Sequence, residues 1–180
     1  KYKMVTYKKF YNVFFLTLLT IAPISIIIGS SVSLTIILLL CLNFIFLYLK
    51  EDFSYLIKDK TVLLLILLYF YLICNSILSI DFEVGFKRNF GFVRYIILFL
   101  AINYYIKNSN NFDITFKIWT FIVSIVLFDI FYEFYNGQNI LGFISENKKR
   151  IVSFFEDEQV VGAFLNGFTF IIFGFLFQKF

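Results

Sequence analysis

Asp129 and Glu133 stand four residues apart inside an apolar run, so their carboxylates share one face of a helix, and Arg94 lies a few residues into another such run. Charges within membrane spans usually face the bundle interior and pair. Two chemistries fit these residues: a structural ion pair, Arg94 with Asp129 or Glu133, or an acidic and basic pocket open to one side of a membrane. A buried pair argues weakly for either one, and both stay open at this point.

A second concentration of charge falls between two apolar runs, from Glu146 through Gly162. Lys148-Lys149-Arg150 opens it, and Ser153-Phe154-Phe155-Glu156 has the Ser-x-x-Glu spacing of a capping box before a helix. Such a box accounts for Glu156 and Glu158 through the helix dipole, leaves Asp157 less explained, and gives Gly162 a packing role at the start of a span. It does not account for the basic triplet. Arginine presents a planar fork to phosphate or carboxylate, so Arg150 is the candidate to hold an anionic ligand bidentately, with Lys149 and Lys148 as point charges.

Histidine is absent, which removes the commonest general base and metal ligand from these residues. Cys41 and Cys74 each sit in an apolar run and form no metal or disulfide motif. Neither a metal nor a cofactor is expected, and no nucleic-acid partner.

The elements that must position these side chains are membrane helices. A chain of 180 residues that is 61% hydrophobic, with one proline and mean hydropathy +0.86, lies outside the range of soluble domains. A spanning helix needs about 20 apolar residues. Six runs approach that length: Phe10–Gly29, Val32–Leu49, Thr61–Ile80, Gly91–Ile106, Ile114–Tyr135 and Val161–Phe177, the fourth and sixth being short. The expected fold is an all-α polytopic transmembrane helical bundle, one domain over 1–180, read as the N-terminal part of a longer protein. Pro23 falls inside the first run, where neighbouring helices can satisfy the carbonyl it frees. The 28 phenylalanines accompany high Ile, Lys, Asn and Tyr usage and are read as compositional.

Basic residues favour the cytoplasm. An N-terminus inside puts ten lysines there and leaves Lys87, Arg88, Arg94, Lys148, Lys149 and Arg150 outside, so all three arginines are external. Tyr48, Tyr104, Tyr105 and Trp119 then mark the inner interface, and Tyr132 and Tyr135 the outer.

The loop from Lys149-Arg150 through Asp157 to Gly162-Ala163-Phe164-Leu165 resembles that of the bacterial O-antigen ligase and polymerase-like family, and Arg94 before Tyr95-Ile96-Ile97-Leu98-Phe99 resembles the Arg-containing start of an earlier helix there. Eleven residues rather than ten separate Arg150 from Gly162, and Ser153 occupies a turn where many relatives have Gly or Pro. The resemblance implies a multi-pass protein of the bacterial inner membrane, active on the periplasmic side. It would transfer or polymerise a glycan from an undecaprenyl-pyrophosphate donor to a glycan or lipid acceptor in cell-surface polysaccharide biosynthesis, with no metal or nucleotide sugar. Arg150 and then Arg94 would stabilise the pyrophosphate charge, Asp157 or Glu133 could take the acceptor proton, and Lys148, Lys149, Arg88, Asp129 and Glu133 would line the substrate. The family's large periplasmic loop would lie beyond Phe180, so residues 1–180 by themselves would be inactive. A transporter or flippase for an anionic lipid or solute, with Arg94, Asp129 and Glu133 on the path, is the alternative, and a non-catalytic membrane subunit a third.

Overall fold

A computed structural model describes residues 2–49, 59–108, 112–144, 150–155 and 160–179. Among them there is no strand. The helices are α1 (Tyr2–Ile28), α2 (Ser30–Tyr48), α3 (Lys60–Ile77), α4 (Phe82–Phe90), α5 (Val93–Asn108), α6 (Phe112–Asn136) and α7 (Val161–Lys179), with a 3-10 turn at Ser153–Phe155. Among the described residues five stretches are long and apolar enough to cross a membrane, and a shorter apolar helix covers Val161–Phe177. The chain is an all-α polytopic membrane protein.

The fourth span departs from its sequence reading. It occupies Phe82–Ile106 and is broken, because α4 ends at Phe90 and α5 begins at Val93. Around the break the amides of Phe92 and Tyr95 reach back three residues, to Asn89 O at 3.1 Å and Phe92 O at 3.0 Å, in place of the four-residue α pattern. The polar residues Asp81, Glu83, Lys87, Arg88 and Asn89 had made this stretch look like a loop. Lys87 donates to Glu83 at 2.7 Å, an exposed i,i+4 pair that supports the helix instead.

Two compact units divide the chain, residues 1–15 with 37–110 and residues 16–36 with 111–180, so α1 and α2 contribute to both. Gly29 makes the one-residue connection between those helices at φ +144°, a conformation open to glycine.

In the first unit α3 packs against α4 and α5. Its buried polar node is Tyr105 Oη donating to Asn43 Oδ1 at 2.7 Å, with the Phe15 ring stacked on Tyr105 at 3.8 Å between centroids. In hydrocarbon such a bond joins helices without leaving a polar group unpaired. Tyr104 and Tyr105 are buried. Within this unit they are packing residues.

In the second unit α6 packs against α7 and the 3-10 turn. Pro23 has no amide proton, so the Leu19 carbonyl four residues earlier lacks its helical donor. Trp119 of α6 supplies one: its Nε1–H donates to Leu19 O at 3.1 Å. Trp119 is buried between the two helices as it does so. Thr20 and Thr115 are 3.1 Å apart between the same helices. Phenylalanine does specific work along the α6 and α7 seam, where Phe116 stacks on Phe175 at 4.1 Å and Phe168 meets Trp119 edge-on at 5.0 Å.

Candidate functional site

Asp129 and Glu133 do share one face of α6, and both are buried. What they meet is the chain returning from the end of their own helix. Gly137, at φ +76°, closes α6 with its amide on Glu133 O at 2.8 Å. A tight turn follows in which Asn139 Oδ1 accepts from Phe143 N at 2.7 Å and Asn139 N donates to Phe143 O at 3.1 Å. The Asn139 side chain, also buried, donates through Nδ2 to Ser153 O at 2.6 Å.

All four carboxylate oxygens are then occupied. Asp129 Oδ1 accepts from Ile140 N at 2.9 Å and Oδ2 from the Ser153 hydroxyl at 2.6 Å. Glu133 Oε2 accepts from Ser153 N at 2.6 Å, and Oε1 from Val152 N at 3.1 Å. Hydrogen bonds to ionised acceptors are about twice as strong as neutral ones, which offsets the burial of two charges. Both acids are satisfied inside their own unit, without an arginine. Their work is to hold residues 139–140 and 152–153 against the Asn136 end of α6.

That fastening fixes Arg150. It stands two positions before Val152, so at most about 7 Å of chain lies between the arginine and the Glu133 anchor. Arg150 is exposed. On the other side of the anchor, Phe155 packs on Phe164 of α7 at 5.2 Å, tying the segment to a second helix.

Two sequence expectations for this loop change. Ser153 caps no helix, since α7 starts at Val161 and the Ser153 hydroxyl is committed to Asp129. It lies instead at φ +50°, in the left-handed region, with its amide on Glu133 and its hydroxyl on Asp129. A Cβ at Gly162 would meet no described residue within 4 Å, so among the described residues it is not a close-packing glycine. Lys148, Lys149 and Asp157 lie outside the described residues, as do Glu156 and Glu158.

Arg88 is exposed on α4. Arg94 lies deeper than its place in an apolar run indicated. Within Phe82–Ile106 twelve residues flank it on each side, and its carbonyl accepts from Cys41 Sγ at 3.2 Å. Its guanidinium lies 4.9 Å over the Tyr95 ring and donates through Nη2 to Tyr95 Oη at 3.2 Å. Arg94 Nε is buried without a partner.

Sequence reading missed Asn139 and the anchoring role of Ser153. Asn136-Gly137 signalled the turn, and an Asn two residues beyond it has the Asx pattern that folds a short loop on itself. Comparison with family profiles, curated proteins and solved structures finds no match to this chain.

Proposed function

We propose that this membrane protein takes part in the transfer or polymerisation of a glycan carried on undecaprenyl pyrophosphate, at the Asn136 end of α6, with Arg150 as the pyrophosphate-binding residue. The observation that supports it is the double anchor of Val152 and Ser153 on Glu133 and Asp129, which leaves Arg150 exposed on a fastened segment. A fixed arginine at a span end is suited to a diphosphate held at the lipid headgroup level. In glycan transfer that diphosphate leaves as an anion, and preorganised positive charge lowers the barrier to its departure. Asp129 and Glu133 serve as positioning residues, since their oxygens are already engaged. Asp157 stays the candidate to take the acceptor proton. The periplasmic face, the bacterial inner membrane and the cytoplasmic N-terminus belong to the same proposal through the Lys and Arg distribution.

The test is binding of undecaprenyl pyrophosphate to the full-length protein in nanodiscs, with undecaprenol as the uncharged control. Arg150→Gln is expected to weaken pyrophosphate binding by about tenfold or more, the scale of one charge-assisted contact, and to leave undecaprenol unaffected. Equal binding by wild type and Arg150→Gln would remove Arg150 from the proposal.

A further inference from the structure

We infer that Arg94 is an intramembrane binding residue for an oxyanion, at the break between α4 and α5. Two rulers place it near mid-depth. Asn89 Nδ2 donates to Leu72 O at 3.0 Å and Ser76 Oγ at 2.7 Å, level with the last turns of α3. Arg94, five residues further on, therefore lies about 7 Å deeper along a helix only 18 residues long. Independently, its carbonyl is bonded to Cys41, which is eleven residues from Ser30 and seven from Tyr48 in α2.

An arginine at that depth stays charged and needs an anion or water to offset its desolvation. No described residue is its counter-ion. Glu83, the acid of α4, is engaged by Lys87. The Tyr95 ring and hydroxyl take one face and one nitrogen of the guanidinium. Nε is buried and bare, and Nη1 makes no hydrogen bond among the described residues. Nη1, and the N–H of Nη2 that Tyr95 does not take, are the donors left for the oxygens of a phosphate or carboxylate group. Gly91 lies beside it, the position of an added Cβ being 3.9 Å from Nη1. Broken helices with a charge at the interruption are how membrane proteins bind anionic groups within the bilayer. The ligand is an oxyanion, free or carried by a lipid.

The experiment uses the full chain in a maltoside detergent, which contains no phosphate, in an Arg150→Gln background that removes surface binding. Inorganic phosphate and dihexanoylphosphatidic acid are titrated separately while the unfolding midpoint is followed. At least one should give a saturable upward shift, the first indicating a free anion and the second a lipid-borne one. The shift is expected to vanish in Arg94→Gln and to need about tenfold more ligand in Arg94→Lys, which keeps charge but loses the fork. No saturable shift with either ligand, or an undiminished shift in Arg94→Gln, overturns the inference. Should Arg94→Gln fail to fold, Arg94→Lys decides alone: unchanged affinity there rejects the site.

Discussion

The Ser153 backbone amide donates to a Glu133 carboxylate oxygen at 2.6 Å, joining a loop residue to a helix residue twenty positions earlier. Glu133 is 5% exposed and forms no ion pair among the described residues, and a buried carboxylate of that kind survives through bonds such as this. Removing the acid leaves two converging amides without an acceptor. Glu133→Ala should therefore destabilise the protein by about 1.5–3 kcal/mol. Hydrogen exchange at Val152 and Ser153 should rise tenfold or more, while α3 amides keep their wild-type rates. Unchanged protection at both positions would show that the acid is not the anchor. Glu133→Gln, which retains one acceptor, should fall between the two.

Ser153 combines a hydroxyl that the fold needs with a backbone angle that disfavours any side chain. Ser153→Ala keeps the strain and strands Asp129 Oδ2, at a cost of about 1–3 kcal/mol. Ser153→Gly loses the same bond but relieves φ +50°, which recovers some of the loss. The glycine variant should thus melt above the alanine variant. The reverse order in a thermal melt of the two purified proteins would show that the backbone angle is unstrained.

The double anchor was only half legible in the sequence. Spacing alone put Asp129 and Glu133 on one face, because helical periodicity follows from residue number. Which group faced them was not legible, because backbone amides carry no sequence signal and Ser153 matched a capping box more readily than a tertiary donor. The α4 and α5 break was hidden for a related reason. Its polar residues were read as loop, when antiparallel packing on α3 and the Asn89 bonds to Leu72 and Ser76 make a helix the better solution. Pro23 was the opposite case. Helix geometry alone names Leu19 as the freed carbonyl, so sequence could announce the need for a donor, though not that Trp119 would be that donor.

That relationship predicts a coupling. Trp119→Phe keeps much of the aromatic packing but removes the donor to Leu19 O, at a cost of about 1–3 kcal/mol. In a Pro23→Ala background the residue-23 amide can restore the helical bond. The same tryptophan change should then cost about 1 kcal/mol less. A double-mutant cycle on denaturation midpoints measures the difference. Strict additivity would mean that Trp119 contributes by packing alone.

Gly29 and Gly162 should respond oppositely to one substitution. Gly29→Ala forces a Cβ onto a φ of +144° in a one-residue connection, and should destabilise by more than about 1 kcal/mol. Gly162→Ala meets nothing within 4 Å in a helical turn, and should be neutral or stabilise by up to about 1 kcal/mol. A loss of stability in Gly162→Ala would reveal a neighbour at α7 that the isolated chain lacks.

The glycan-transfer proposal depends on which side of the membrane the loop faces, and the Lys and Arg distribution makes a definite prediction. Cys74 is exposed and must first be replaced, whereas Cys41 is buried with its thiol on Arg94 O. In the resulting background, Asn147→Cys should react in intact cells with a thiol reagent that cannot cross the membrane. Asn110→Cys should react only after the cells are opened. If Asn147→Cys is labelled only in opened cells, the basic triplet becomes an ordinary cytoplasmic charge signal and Arg150 loses its claim on a periplasmic pyrophosphate. The Arg94 site would stand in either orientation, because it rests on depth and on the lack of a counter-ion among the described residues, which inversion of the bundle does not change.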